Sequence, residues 1–300
     1  MNFLKMHGIG NDYVFLREEE LRGAGIPEAE FGEAAVRLAD RHTGIGGDGL
    51  ILVGESETAA ARMRIFNADG SEAEMCGNGI RCVASWLFRE GRIGERGVIE
   101  TGAGPITVEV IGERSRGHDV RVDMGRPIFT PEKIPADLPA KTVALGGEEV
   151  EAIVAEPIAV GSERFEVTCV SMGNPHAVIF VPDVDSFPVP EWGPRIEHHP
   201  VFPARVNVEF VQVLAPGHLK QRTWERGSGE TYACGTGASA VFAAAVLCGI
   251  AEKEARIHLR GGELIISWDG EGDLFMTGPA EESFRGTFDP SLLKEPEKDS

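Results

Sequence analysis

Alternating and helically spaced apolar residues in the first part of the chain predict a strand-rich fold with two helices. The alternation over 3–16 is broken by the Gly-rich stretch 8–12, which indicates a strand that enters a tight loop. A first helix is expected to begin at Pro27 and end near His42, and a second one to follow Cys76 and end before Gly91. Their apolar positions recur at i, i+3 and i+4: Phe31, Ala34, Ala35 and Leu38, then Ile80, Val83, Ala84, Leu87 and Phe88. Further strands are predicted at 50–53, 63–67, 98–101, 106–111 and 120–124.

The second part of the chain shows a similar succession of short apolar runs. A helix is expected over 238–248, and because it is apolar almost all round it should be buried in its domain. A shorter helical piece is expected over 187–197. Strands are predicted at 165–172, 177–181, 207–213, 220–225, 255–260, 264–268 and 274–277. Because these strands do not alternate regularly with helices, mostly antiparallel pairing is expected.

Two short motifs occur once in each part of the chain, which indicates an internal duplication. An Asn lies at a turn before an apolar strand at 10–12 and again at 173–175. Cys-Gly-x-Gly precedes a helical segment at 76–79 and again at 234–237. We therefore expect an α/β (α+β) fold with two pseudo-symmetric domains. Each would be a mostly antiparallel sheet or barrel wrapped round a central helix, with the active site in the cleft between the two.

The Pro- and Gly-rich stretch 125–163 indicates where the chain crosses between domains, and we place the crossover just before it, near Asp119. The first domain is predicted to span 1–118 together with 280–292 and to carry Cys76. The second domain is predicted to span 119–279 and to carry Cys234. The charged, Pro-containing end, 293–300, is predicted to be disordered.

Composition narrows the kinds of partner. The 300 residues carry a formal charge of −19, which argues against nucleic acid or an anionic membrane surface, since both attract basic proteins. No apolar run approaches the roughly 20 residues of a transmembrane helix, and no leader is recognised at Met1, so a cytoplasmic location is expected. Five cysteines without a disulfide or zinc spacing predict reduced thiols and no metal.

The two Cys-Gly-x-Gly motifs suggest acid–base chemistry. A thiol at the first turn of a helix feels the positive end of the helix dipole, so its pKa is expected to fall from about 8.5 toward neutrality. One of Cys76 and Cys234 could then accept a proton while the other donates one. The first backbone N–H groups of each helix could hold a carboxylate and stabilise the charge that builds when its α-proton leaves. The residues concerned are Gly77, Asn78, Gly235 and Thr236.

This pattern favours inversion at the α-carbon of an amino acid by two bases on opposite faces. Neither thiol loop contains a lysine that could hold pyridoxal phosphate, so no cofactor is expected.

Other interpretations compete with this one. The glycines of 44–49 could form a phosphate loop, but the Gly-Lys-Ser/Thr ending is missing, so a tight turn is favoured. The Gly-x-Gly-x-x-Ala pattern of 235–240 is typical of dinucleotide-dependent oxidoreductases, although a regular βαβ context is absent. A non-catalytic ligand-binding protein is a further possibility. Cys82, Cys169 and Cys248 are interpreted as small core residues.

The motifs at 6–12, 66–72, 76–82, 172–176, 205–207, 225–227 and 233–237 together resemble the diaminopimelate epimerases over nearly the whole chain. The resemblance implies conversion of LL-2,6-diaminopimelate to the meso isomer without pyridoxal phosphate, in bacterial lysine and peptidoglycan precursor biosynthesis. It also implies a homodimer.

The same resemblance implies roles for individual residues. Cys76 would be the proton donor and Cys234 the acceptor in the LL-to-meso direction. His176 and Glu225 would tune the thiols. Substrate-binding positions would be Asn11, Asn67, Gly77, Asn78, Asn174, Asn207, Glu225, Arg226, Gly235 and Thr236. Many relatives carry Gln where this chain has Gly49, so a polar contact there is absent or supplied by the backbone.

A related racemase or epimerase for another amino acid, such as histidine or hydroxyproline, is the nearest alternative. Proline-type relatives have His at the position of Asn78, and dehydratase relatives replace the second cysteine. Neither change occurs in this chain.

Overall fold

The computed structural model describes residues 1–293, which form two compact units. The first consists of Met1–Val122 and the chain from Gly278 onward, and the second of Asp123–Thr277. The predicted crossover at Asp119 falls inside a strand, Gly117–Asp123, so the first boundary lies just beyond that position. Leu293, which the sequence assigned to the disordered end, is buried and closes a 3-10 helix, Pro290–Leu293. Residues 294–300 lie outside the described part of the chain.

The elements are as follows in chain order. The strands are β1 (Asn2–Gly8), β2 (Asn11–Arg17), β3 (Gly49–Gly54), β4 (Ala61–Asn67), β5 (Glu72–Ala73), β6 (Arg96–Thr101), β7 (Gly104–Arg114), β8 (Gly117–Asp123), β9 (Lys141–Leu145), β10 (Glu148–Ala152), β11 (Glu156–Val160), β12 (Glu163–Ser171), β13 (Pro175–Phe180), β14 (Asn207–Ala215), β15 (His218–Glu225), β16 (Gly229–Thr231), β17 (Glu254–Leu259), β18 (Gly262–Ser267) and β19 (Phe275–Thr287). The α-helices are α1 (Glu18–Gly23), α2 (Phe31–Ala39), α3 (Gly77–Arg89), α4 (Val189–Glu197) and α5 (Gly235–Leu247).

The first unit is a closed barrel around a helix. Strand β1 pairs with β2 antiparallel, β2 with β3 parallel, β3 with β4 antiparallel, β4 with β6 parallel, and β6 with β7 and β7 with β8 antiparallel. The second part of β19 joins β8 to β1 and closes the ring. Closure leaves no open edge among these strands. Helix α3 contacts β1 and β2 as well as β6 and β7, on opposite sides of the ring, so it fills the interior.

The second unit repeats the same order of pairings. Strand β12 pairs with β13 antiparallel, β13 with β14 parallel, β14 with β15 antiparallel, β15 with β17 parallel, and β17 with β18 and β18 with β19 antiparallel. Helix α5 contacts β12, β13, β14, β17 and β18 and is buried almost all round, as its apolar sequence predicted. The predicted fold class, α+β with two mostly antiparallel sheets or barrels each wrapped round a helix, is confirmed.

Some elements differ from the prediction. Helix α2 ends at Ala39 rather than near His42, because the Asp40 carboxylate accepts hydrogen bonds from the N–H groups of His42 and Thr43 and turns the chain. The short helix α1 was not predicted, because Leu21 is its single large apolar residue and the sequence therefore shows no helical spacing of apolar positions.

The stretch predicted as a Pro- and Gly-rich crossover also contains regular structure. Strands β9 and β10 form a two-stranded sheet, and β11 pairs with β12. Strand β19 is much longer than the predicted 274–277 and contributes to both units. None of the helices within residues 1–293 combines the length and apolar character needed to cross a membrane.

Candidate active site

Cys76 and Cys234 occupy equivalent backbone positions, each as the residue that caps a buried helix. The sulfur of Cys76 accepts the N–H of Gly79 at 3.4 Å, and that of Cys234 accepts the N–H of Gly237 at 3.3 Å. At both glycines, an added side chain would contact a residue of a neighbouring strand. A Cβ at Gly79 would lie 2.5 Å from Ile51 Cδ1, and one at Gly237 would lie 2.9 Å from an oxygen of Glu209. The second glycine of each Cys-Gly-x-Gly motif therefore allows the thiol turn to pack closely against the neighbouring strand.

In the first unit, hydrogen bonds bring Asn11 and Asn78 together beside Cys76. Asn11 Oδ1 lies 3.5 Å from Cys76 Sγ and accepts the amide of Asn78 at 3.2 Å. Asn11 Nδ2 donates to Asp48 Oδ2 at 2.7 Å. The guanidinium of Arg81, which is fully buried, donates to Asn78 Oδ1 at 2.9 Å and to the carbonyl oxygen of Gly77 at 3.0 Å.

Three residues around the first thiol were not predicted from the sequence: Arg81 and Tyr13, which act on Cys76, and Asp48, which contacts Asn11. The side chain of Tyr13 interacts with the Cys76 thiol and lowers its pKa. Tyr13 lies two residues after Asn11 on β2, so the alternation of a strand could have pointed to it. Arg81 follows the first turn of an otherwise apolar helix, and a charged residue at such a position was the available signal.

Asn67 lies apart from this hydrogen-bonded group. It pairs with Gly49 across β3 and β4, and its amide donates to Ser71 Oγ at 3.0 Å. A Cβ at Gly49 would lie 2.1 Å from the carbonyl oxygen of Phe66, so this backbone has no room for any side chain there. A Gln at this position would require the two strands to move.

In the second unit, a chain of polar groups leads to Cys234. His176 and Glu209 are both fully buried, with Nδ1 and Oε1 2.8 Å apart. His176 Nε2 lies 2.9 Å from Asn174 Oδ1, and Asn174 Nδ2 donates to Thr236 Oγ1 at 3.3 Å. The Thr236 hydroxyl is 3.5 Å from Cys234 Sγ. Glu209 was not predicted, and its second oxygen, Oε2, has no hydrogen-bond partner among the described residues.

The remaining predicted residues form a turn in the same unit. Asn207 donates to the carbonyl oxygen of Pro175 at 2.9 Å and accepts the backbone N–H of Arg226 at 2.9 Å, so it ties the turn to β13. The Glu225 carboxylate accepts the hydroxyl of Thr231. The exposed guanidinium of Arg226 donates to the carbonyl oxygen of Ala204 at 3.1 Å.

The expected fall in thiol pKa is not found. Burial raises the pKa of Cys76, and the Gly79 N–H, the Tyr13 hydroxyl and Arg81 offset this only in part. The pKa of Cys234 lies well above its usual value because of burial and because the carboxylates of Glu225 and Glu209 disfavour a second negative charge. Desolvation thus outweighs the helix N-termini, and both thiols are mainly protonated at neutral pH.

All five cysteines are free thiols. Cys82 and Cys169 are buried core residues, as predicted, and burial raises the pKa of Cys82 to about 12. Cys248 is only half buried, since it follows the last turn of α5, and its sulfur lies 3.5 Å from Thr168 Oγ1. Among residues 1–293, no cluster of three or more His, Cys, Asp or Glu side chains could hold a metal ion.

The dinucleotide interpretation loses its structural basis. The Gly-x-Gly-x-x-Ala stretch opens α5, but the preceding strand, β16, pairs antiparallel with β15. A dinucleotide fold places this motif between parallel strands. The glycines instead allow the close packing of the thiol turn described above.

Known proteins match this chain over nearly its whole length. The sequence profile described as "Diaminopimelate epimerase" matches residues 3–130 and 168–282. A diaminopimelate epimerase of Acetivibrio thermocellus is 47% identical over 297 residues, covering 98% of this chain and all of that protein. Another, from Moorella thermoacetica, is 49% identical over 290 residues, covering 96% of this chain and 99% of that protein.

Solved structures share the fold at low identity. A PhzF-family phenazine biosynthesis protein of Bacillus anthracis superposes with a TM-score of 0.65 at 16% identity, covering 95% of this chain and 98% of that one. A hydroxyproline epimerase of Agrobacterium vitis gives a TM-score of 0.65 at 16% identity, covering 95% and 91%. These likenesses concern the fold, whereas the full-length matches near half identity carry the assignment. The chain belongs to the diaminopimelate epimerase family.

Proposed function

We propose that this protein is an isomerase that inverts one α-carbon of 2,6-diaminopimelate, converting the LL form to the meso form without a cofactor. The observation that carries the proposal is the pair of thiols, each capping the buried helix of its own barrel, in a chain of this family. The product would serve bacterial lysine and peptidoglycan precursor biosynthesis.

The proposed reaction needs one thiolate and one thiol. The Cys234 thiolate takes the α-proton of the LL substrate, and the electron pair of the broken C–H bond remains on carbon as a carbanion. The Cys76 thiol then gives its proton to the opposite face. The enzyme is left with a thiol at Cys234 and a thiolate at Cys76, and exchange with solvent restores the starting state.

The first turns of α3 and α5 would stabilise the charge that builds on the α-carboxylate. Backbone N–H groups at a helix N-terminus are aligned donors that need no reorganisation when charge develops. We assign this part to Gly77, Asn78, Gly235 and Thr236. The N–H of Gly79 is taken by the Cys76 sulfur, and that of Gly237 by the Cys234 sulfur.

The second amino-acid end of diaminopimelate needs donors for a carboxylate and acceptors for an ammonium. We propose that Asn11, Asn67, Asn174, Asn207, Glu225 and Arg226 supply them. The present partner of the Arg226 guanidinium is a neutral main-chain oxygen, and a substrate carboxylate would bind it more strongly. Asn207 would act partly through the turn, since it holds the backbone of Arg226. His176 and Glu225 would tune the Cys234 thiol.

The test is proton exchange at the inverted carbon. Reduced protein without added cofactor is incubated with LL-diaminopimelate in D₂O, and α-deuterium and meso product are followed by NMR and chiral chromatography. We expect deuterated meso product. Well-folded protein that exchanges no α-proton would contradict the proposal. Exchange with histidine or hydroxyproline alone would point to the related racemases and epimerases instead.

We also propose a cytoplasmic homodimer. Five unbridged thiols fit a reducing compartment. Exposed apolar side chains in the first unit, Ile111 and Phe284, could be covered by a second copy. Sedimentation equilibrium at micromolar concentration should give twice the chain mass of 32.3 kDa, and a monomer mass would contradict the dimer.

A further inference from the structure

The hydrogen bonds around Asn11 have a direction that two charged residues determine. Arg81 can only donate, so the oxygen of Asn78 must face it, at 2.9 Å. The Asn78 amide nitrogen therefore faces Asn11 and donates to Oδ1 at 3.2 Å. At the other end, the Asp48 carboxylate can only accept, and it takes the Asn11 amide at 2.7 Å. The order of donation is Arg81 to Asn78 to Asn11 to Asp48.

This order fixes the amide of Asn11 in one orientation, with its carbonyl oxygen toward Cys76. Exchanging the nitrogen and oxygen of Asn11 would place an oxygen against Asp48 and an N–H group against that of Asn78. The Cys76 thiol can donate to the carbonyl oxygen, 3.5 Å away. A thiolate at the same place would face the negative end of the amide dipole. The arrangement therefore favours the protonated form of Cys76.

The matching Asn of the second unit is turned the other way. The Asn174 oxygen faces His176 Nε2 at 2.9 Å, and its nitrogen donates to Thr236 Oγ1 at 3.3 Å. The Thr236 hydroxyl accepts that bond and can donate its own hydrogen to Cys234 Sγ, 3.5 Å away. Two related asparagines thus present a carbonyl acceptor to one thiol and, through Thr236, a donor to the other.

We propose that Asp48 is a positioning residue, which keeps the Asn11 carbonyl on the Cys76 thiol and so holds Cys76 ready as the proton donor. This inference rests on the proposed function, because Asp48 can have this positioning role only in a reaction that uses Cys76 as an acid. Asp48 touches neither thiol and acts through Asn11. The carboxylate of Asp48 also accepts the backbone N–H of Asp12 and forms an exposed ion pair with Arg41, which contributes little to stability.

Other charged and titratable groups also face Cys76 and must be separated from the effect of Asp48. They are the guanidinium of Arg81 from α3 and the hydroxyl of Tyr13 from β2, besides the N–H groups of Asn78 and Gly79. Removing the carboxylate of Asp48 also removes a negative charge. A useful test therefore compares two substitutions that lose the same charge but differ in whether an oxygen remains to accept from Asn11.

The experiment measures the pH dependence of iodoacetamide alkylation at each cysteine in the full chain, without substrate. Trypsin cleaves after Arg81 and so places Cys76 and Cys82 on different peptides for mass spectrometry. Asp48→Ala removes the acceptor, so the alkylation midpoint of Cys76 should move to lower pH by about one unit. Asp48→Asn keeps an oxygen for Asn11 and should remain within about a third of that shift. The midpoint of Cys234 in the same molecules serves as the internal control and should not move.

Two results would overturn the proposal. Equal shifts in Asp48→Ala and Asp48→Asn would mean that the charge of Asp48, and not the orientation of Asn11, determines the alkylation midpoint of Cys76. An unchanged alkylation midpoint of Cys76 in Asp48→Ala would mean that Asp48 does not affect the protonation of Cys76. Because alkylation needs no turnover, either result is independent of whether the wild-type protein forms meso-diaminopimelate, which the D₂O experiment decides separately.

Discussion

At the scale of single residues, the two thiols have the same backbone setting and different surroundings. Cys76 lies near the cation of Arg81, whereas Cys234 lies near the carboxylates of Glu225 and Glu209. The sequence predicted both cysteines at helix N-termini with a lowered pKa, because the spacing of residues indicates where a helix ends but not how deeply a sulfur is buried. The burial of each sulfur depends on strands that are distant in sequence. The proximity of the Glu209 carboxylate to Cys234 depends on them too.

The carboxylate of Glu225 provides a test of these surroundings. Glu225→Gln should lower the pKa of Cys234, because it removes a negative charge that disfavours the thiolate. The alkylation midpoint of Cys234 should then fall by on the order of one pH unit. Glu230→Gln is the matched control, since this carboxylate lies on β16 and pairs with Arg222. A Cys234 midpoint that responds equally to both substitutions would refute a specific effect of Glu225.

The pH dependence of turnover follows from the same residues. The reaction needs one thiolate, and burial raises the pKa of both Cys76 and Cys234 above the usual range of a thiol. Below these pKa values, the fraction of enzyme with one thiolate increases roughly tenfold for each pH unit. We therefore expect kcat/KM for meso formation to rise by about that factor from pH 7 to pH 8. A flat profile over this range would contradict the raised pKa values.

At the scale of elements, each helix end depends on the strand it packs against. The spacing of apolar residues predicted α3 from just after Cys76, whereas it predicted α5 only from Ala238, three residues after its observed start at Gly235. Glycine in the first turns of these helices allows close contact with β3 and β14: an added Cβ at Gly79 would meet Ile51, and one at Gly237 would meet Glu209. Such contacts are distant in sequence, so the pattern predicted where the helices lie and not why their first turns need glycine.

Gly49 gives a prediction for the pairing of β3 and β4. Gly49→Ala should lower the free energy of unfolding by about 1–3 kcal/mol, because the added Cβ would meet the backbone oxygen of Phe66 at 2.1 Å. Gly23→Ala, at the end of α1, is the control: nothing lies within 4 Å of the added atom, so stability should be unchanged or slightly higher. Urea unfolding monitored by circular dichroism measures both. Equal stability of Gly49→Ala and wild type would show that the strands can separate without cost.

At the scale of the whole molecule, the duplication predicted from two short motifs appears as the same order of strand pairings in both units. The duplication was recognisable from the turn motifs, because each Asn and each Cys has the same position relative to the paired strands in both units. The strands β9, β10 and β11 have no counterpart among the described residues of the first unit, and they lie in a stretch rich in Pro and Gly that was not predicted to form strands. The duplication also conceals a difference: Ser239 stands in α5 where α3 has Arg81, and Glu209 stands on β14 where β3 has Ile51.

The central claim is that both cysteines are needed to invert one carbon, and single substitutions test it most directly. Wild type, Cys76→Ala and Cys234→Ala are incubated with LL-diaminopimelate in D₂O, and the rate of deuterated meso product is measured. Loss of either acid–base group should slow inversion by at least about 10²–10⁴-fold, with circular dichroism showing that each variant is folded. Near-normal inversion by either variant would contradict the two-base account.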